Sequence, residues 1–192
     1  DWDAIRNLKD HLRQLNTPVL GNGDIWTGSD ALEMMARTGA DGVVVGRGCL
    51  GRPWLFSQLT AAFAGEELPT EPRLGRVLQI LRRHAELLTL DYGEAKGCRD
   101  MRKHMSWYLK GFSVAHTVRQ ALGTVQTLAE IDALVAQIDS DQAFNSEVGS
   151  GPRGRTSGSR RPALPDRWLE TCELTADDRV NVSLAELSVS GG

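Results

Sequence analysis

This 192-residue chain is poor in aromatic residues (6%) and carries only 4 histidines and 3 cysteines. The cysteines, Cys49, Cys98 and Cys172, are odd in number and far apart. That pattern argues against a disulfide framework and against a zinc site. No apolar run approaches the roughly 20 residues that cross a bilayer, and no secretory signal pattern is visible. The expectations are therefore no metal, no membrane and a reducing, cytoplasmic location. Charge of one sign is not in excess either, with 22 Lys/Arg against 25 Asp/Glu and a net charge of -3. The chain as a whole is not a basic nucleic-acid binder. No internal repeat is apparent.

The charge is nevertheless uneven. Residues 71–110 hold 9 Lys/Arg against 5 Asp/Glu, whereas the stretches on either side are acidic. A local basic block in an acidic chain is a candidate interaction surface. The chain also opens on Asp1 inside a helical pattern, with Ile5, Leu8, Leu12 and Leu15 at roughly helical spacing. The expectation is that its N-terminus is cut from something longer.

Residues 2–15 read as an amphipathic helix, 18–20 and 43–45 as short strands, and the segment between them as a helix capped by Ser29 and ended by Gly39. A further helix is expected over about 53–63. The alternation implies parallel strands with right-handed crossovers. Two strands alone leave edges and faces uncovered, so their partners are expected upstream or in another chain. From about Glu71 the strand signal stops. Leu74, Val77, Leu78, Leu81, Ala85, Leu88 and Tyr92 form one stripe of a long helix. A second helix is expected over about 94–110 and shorter ones over 114–121 and 127–138, packed as a small bundle. From Ser140 the chain turns rich in Gly, Ser, Pro and Arg with no hydrophobic period, which predicts a disordered tail.

Each strand is followed by a glycine-rich turn: Gly21-Asn22-Gly23-Asp24 after the first and Gly46-Arg47-Gly48 after the second. Glycine lets a backbone approach an anion closely, and N–H groups at a following helix start would supply donors. Consecutive loops of this kind after the last two strands of a β/α barrel commonly bind phosphate.

The residues GNGDI, then TGADGVVVGRGCLGRPWLF, resemble the end of the barrel in tRNA-dihydrouridine synthases, with the bacterial B-type branch nearest. RDMRKHMSWYLKGF, residues 99–112, is similar to the signature of that family's helical domain. The resemblance covers about residues 1–138. It implies an α/β fold: the last two β/α units of a TIM (β/α)8 barrel over 1–65 and an all-α tRNA-binding domain over 66–139; the Gly/Ser/Pro/Arg-rich tail over 140–192 follows from composition. It also implies flavin-dependent reduction of uridine to dihydrouridine in tRNA, with FMN as cofactor, NADPH or NADH as reductant, and a monomeric full-length form. Asn22, Gly23, Asp24, Gly46 and Arg47 are the FMN contacts that it implies. Asp24 suits a structural role better, holding Arg47 or capping the loop, because a carboxylate is a poor phosphate ligand.

The family's catalytic cysteine matches no position here, so no catalytic residue is assigned in this chain and these residues alone are expected to be inactive. Cys49 reads as a packing residue, Cys98 as part of an apolar face, and His104 as a boundary residue without a catalytic role. The candidate RNA contacts are Lys96, Arg99, Arg102, Lys103 and Lys110. On a helical wheel Lys96, Arg99, Lys103 and Lys110 lie within about 60° of one another beside Trp107, with no acid expected among them. Such a stripe suits phosphate contact and base stacking, and Arg82 and Arg83 would extend it. The alternatives are a truncated, non-catalytic RNA-binding product and another phosphate-binding β/α-barrel enzyme.

Overall fold

The computed structural model describes residues 1–149, 173 and 175–180, which fall in two compact units, Asp1–Arg153 and Gly154–Gly192. In the first unit, α1 (Trp2–His11) is capped by the Asp1 carboxylate, which accepts from the Asp3 N–H at 2.9 Å. Lys9 and His11 sit in its last turn, where cations suit the helix dipole. The strands β1 (Leu20–Asn22) and β2 (Gly42–Val44) pair in parallel, with Leu20 opposite Gly42 and Asn22 opposite Val44. The α2 helix (Gly28–Thr38) is the crossover between them. The first strand lies later than 18–20 because Pro18 has no N–H to give and Val19 donates to the Asp41 carboxylate at 2.7 Å. The Asp41 N–H in turn donates to the Val19 carbonyl.

The cap of α2 is Thr27, not Ser29. Thr27 has the extended backbone of a cap and its hydroxyl accepts from the Asp30 N–H at 3.2 Å, while the Asp30 carboxylate accepts from the Thr27 N–H at 2.8 Å. Both bonds together form a capping box. After β2 a single 3-10 turn, Arg47–Cys49, leads through Arg52 to α3 (Leu55–Ala64). Ile25, Ala31, Met34, Leu55 and Leu59 form the buried core of this β/α portion, and Trp2, Ile5, Val43, Val45 and Cys49 pack around it. Leu20 and Val44 remain exposed on the strands, at 56% and 43%.

The helical portion follows within the same unit: α4 (Leu74–Tyr92), α5 (Glu94–Tyr108), α6 (His116–Leu122) and α7 (Leu128–Val135). The apolar stripe of α4 is buried from Leu74 to Ala85. It closes against Cys98, Met101, Met105 and Tyr108 of α5. The stripe does not continue to Tyr92, which is half exposed and stacks under the Lys96 ammonium, 4.0 Å from its ring centre.

Residues 140–149 are not part of a disordered tail. Arg73 gives α4 no side-chain cap, so the first N–H groups of α4 need other acceptors. Leu74 N–H donates to the Gln142 carbonyl and Gly75 N–H to the Ser140 carbonyl, each at 2.9 Å. Phe144 packs edge-on against Phe112, with ring centres 5.6 Å apart, and α8 (Ser146–Gly149) ends this return. The low hydrophobicity of the segment hid it, because its hold is largely polar: besides these backbone bonds, the Gln142 side chain accepts from the Ser113 N–H and donates to the Ser113 carbonyl. The rest of the expected tail lies outside the described residues, apart from 173 and 175–180. Residues 176–180 form one helical turn capped by Thr175, whose hydroxyl donates to the Asp178 carboxylate at 2.7 Å.

Candidate functional site

The loops after β1 and β2 meet around a cleft of about 220 Å³. Asn22, Gly23, Asp24, Gly46 and Arg47, the five residues expected to contact a cofactor, all line it, together with Ile25, Trp26, Val44 and Gly48. Pockets that enclose a whole small ligand usually run to roughly 300–1,000 Å³, so this cleft suits one end of a larger molecule. The sequence missed Trp26, although it directly follows the GNGDI stretch, and placed Gly48 in the loop without assigning it a contact.

Two backbone features shape the cleft. Gly23 and Asp24 both have positive φ, +114° and +54°. Glycine enters that region freely, and aspartate is among the few other residues that tolerate it. Gly48 is needed for a different reason: a Cβ there would overlap the Ile25 carbonyl oxygen. The two loops can close on each other only because that Cβ is missing. At Gly46 a Cβ would meet no protein atom within 4 Å, which leaves the backbone open to an incoming group.

The charges in the cleft are one of each sign. The Arg47 guanidinium lies 3.5 Å from the Asp24 carboxylate and 5.7 Å from the centre of the Trp26 ring. Asp24 therefore places a counter-charge beside the arginine at the cleft. The start of α2 offers fewer donors than its sequence suggests, because the Trp26 and Thr27 N–H groups both donate to Asp30, at 2.9 and 2.8 Å. The remaining donors among the lining residues are the loop backbone, the Asn22 amide, the Trp26 indole and Arg47.

A short path links the cleft to the helical portion. The Trp26 carbonyl accepts from Arg52 at 3.4 Å, and Arg52 also donates to the Glu71 carboxylate at 2.5 Å. Glu71 accepts from the Trp54 indole at 2.6 Å as well. Arg52 is buried, with 6% exposed, and its Nε has no partner among the described residues.

The basic helix is less uniform than the wheel implied. Arg99 and Lys103 of α5 are exposed. Lys96, however, pairs with Asp100 at 2.8 Å, so an acid does sit on the stripe. That bond holds the Asp100 carboxyl below its ordinary range. Arg102 donates through Nε to the Val125 carbonyl at 2.8 Å and is committed to the fold. Lys110 lies beyond the end of α5, where the helical wheel no longer sets its direction. Arg82 is also engaged structurally, reaching both oxygens of Asp132 at 2.5 and 3.2 Å, while Arg83 pairs with Glu86 at 2.7 Å.

Next to the stripe lies a cluster that sequence periodicity did not reveal. The His84 and His104 rings are 4.8 Å apart, and His84 Nδ1 is 3.2 Å from the Tyr108 hydroxyl. Burial lowers the His104 pKa to about 4, with His84 and Lys103 adding to the effect, and burial pushes Tyr108 up to about 12. Both groups are neutral near pH 7. The two described cysteines lack the features of a reactive thiolate. Cys49 donates to the Gly46 carbonyl at 3.1 Å, Cys98 is fully buried, and burial raises both pKa values. Cys172 lies outside the described residues. Among the described residues no group of three His, Cys, Asp or Glu could hold a metal, and no helix is long and apolar enough to cross a membrane.

A family model described as dihydrouridine synthase (Dus) matches residues 1–148. The chain is 53% identical over 169 residues to a protein of Mycobacterium tuberculosis (strain CDC 1551 / Oshkosh) named "Probable tRNA-dihydrouridine synthase", covering 88% of this chain and 43% of that one. It is 50% identical over 193 residues to a protein of the same name from Mycobacterium leprae (strain TN), covering 100% and 48%. It is 35% identical over 125 residues to the "tRNA-dihydrouridine synthase B" of Pasteurella multocida (strain Pm70), covering 65% and 37%. The chain thus spans less than half the length of these relatives.

Proposed function

Since the chain belongs to the dihydrouridine synthase family, we propose that it carries the phosphate grip and the tRNA-facing helices of an enzyme that reduces uridine to dihydrouridine in tRNA. The observation that carries this reading is the cleft itself: Asn22, Gly23, Asp24, Gly46 and Arg47, from two loops 24 positions apart, line one small cavity. Its size suits the phosphate end of FMN. Arg47 supplies the positive charge, and the open backbone at Gly46 allows close approach. When bound, FMN would supply the hydride-transfer chemistry, with NADPH or NADH as the reductant.

The β/α portion reads as the last two units of a TIM barrel. The exposed Leu20 and Val44 on β1 and β2 are the surfaces that further strands would cover. Arg99 and Lys103 on α5, beside Trp107, supply cations and an aromatic face for tRNA. The target base must leave its stack to be reduced. Of the described cysteines, one packs beside the cleft and one is buried in the helical core, and this segment by itself is expected to reduce no uridine.

The test uses the gene product with whatever coding sequence precedes and follows this segment. It is expected to retain FMN on purification and to form dihydrouridine in tRNA when NADPH or NADH is supplied. A protein that takes up no flavin overturns the reading. Turnover by the 192 residues alone overturns their assignment as catalytically incomplete.

A further inference from the structure

Trp2 is far from the glycine-rich loops in sequence and does not line the cleft. Its indole Nε1 nonetheless donates to the Gly23 carbonyl at 3.0 Å. The ring is held in place from two sides. It packs against the buried β/α core, and the Arg37 guanidinium of α2 lies over it, 5.0 Å from the ring centre. Trp2 is thus a fixed donor on α1 that reaches the one peptide joining Gly23 and Asp24.

That peptide is the unusual part of the loop, since the residues on both sides of it have positive φ. A trans peptide is planar, so its carbonyl and its N–H point in opposite directions. Pinning the Gly23 oxygen to the indole therefore fixes the direction of the Asp24 N–H, away from Trp2. Asp24 lines the cleft, whereas Trp2 does not. Without the indole, the 23–24 peptide has a glycine on one side and can rotate at little steric cost.

We propose that Trp2 is a positioning residue for the anion grip: by holding the Gly23 carbonyl, it aims the Asp24 N–H at the phosphate end of the bound nucleotide. Trp2 touches no ligand itself and acts through the loop. The proposal rests on the reading of the cleft as a flavin-phosphate site and adds a residue from outside both glycine motifs.

The experiment compares FMN with riboflavin, which differ only in the phosphate, by equilibrium dialysis against the same extended gene product that tests the proposed function. Wild type is expected to bind FMN more tightly. Trp2→Phe keeps the aromatic packing and removes the N–H. It should reduce the FMN-over-riboflavin preference by about threefold to tenfold, the effect of one hydrogen bond, with riboflavin binding unchanged. Should Trp2→Phe not fold, 3-benzothienylalanine at position 2 keeps the bicyclic shape without the N–H and carries the same expectation. An unchanged preference in the folded variant overturns the role of Trp2 and leaves the phosphate reading standing. A wild type that binds riboflavin as well as FMN, or neither, overturns the phosphate reading and the Trp2 proposal with it.

Discussion

Arg52 donates to Glu71 at 2.5 Å, and this ion pair ties the loop after β2 to the segment that leads into α4. The arginine is buried and the glutamate side chain is 26% exposed. Removing one partner from a buried pair strands the other charge, which usually costs about 3–5 kcal/mol. The partial exposure of Glu71 reduces this. Glu71→Gln is expected to lower stability by about 2–3 kcal/mol, read as a shift in the urea midpoint with an unchanged slope. A midpoint at the wild-type value would show that the tie is not stabilising.

Gly48 and Gly46 belong to the same turn but should respond differently to alanine. At Gly48 the new Cβ would overlap the Ile25 carbonyl oxygen, so the loops must part. Overpacking of this kind costs about 1–3 kcal/mol. At Gly46 there is room, so Gly46→Ala should keep its stability. Its methyl group instead obstructs the approach of a ligand to the backbone, and FMN binding should fall. Thermal unfolding and flavin titration on both variants separate the two effects. Equal stability losses would remove the distinction.

The His84–His104 pair gives the helical portion a pH dependence of known sign. Burial lowers the His104 pKa from 6.5 to about 4. Between those values the unfolded chain binds the proton more readily, so stability rises with pH across the window. The contribution is fully present above about pH 6.5 and is lost as pH falls toward 4. For this half-buried ring it should amount to about 1–2 kcal/mol. His104→Gln should flatten the change in urea midpoint between pH 7 and pH 5. This range lies above the ordinary carboxylate titrations. A wild-type slope in the variant would assign the dependence to other groups.

On α5, two kinds of basic residue should separate in a tRNA-binding assay. Arg99 and Lys103 are exposed, whereas Arg102 is bonded to the Val125 carbonyl. If Arg99 and Lys103 contact phosphates, replacing both with alanine should weaken binding and reduce the salt slope by up to about 2. Arg102→Ala should instead lower stability and leave the slope of the folded protein unchanged. An unchanged slope in the double variant removes those residues from the tRNA surface.

Local patterns announced much of the arrangement. The β-branched strand around Val43 and Val44, the two glycine turns, and a 3.6-residue apolar stripe from Leu74 to Ala85 follow from chain geometry and burial. These were legible because neighbours along the chain largely determine them. The pairing of Asp24 with Arg47 was also within reach, since a lone acid in a glycine-rich loop is best placed beside a nearby cation.

What periodicity could not reveal depends on residues distant in sequence. The indole of Trp2 reaches Gly23, Arg52 finds Glu71, and the carbonyls of Ser140 and Gln142 close the open start of α4. Whether Arg102 faces solvent or a carbonyl, and whether Lys96 is paired, likewise depended on what lay opposite each side chain. The sequence alone determined the order of elements, the two glycine-rich loops and the apolar stripes. Only the tertiary structure decided which polar groups were available for binding and which were committed to the fold. A hydrogen bond depends on the separation of two groups in space, and a linear pattern records that separation only when both lie on the same helix or turn.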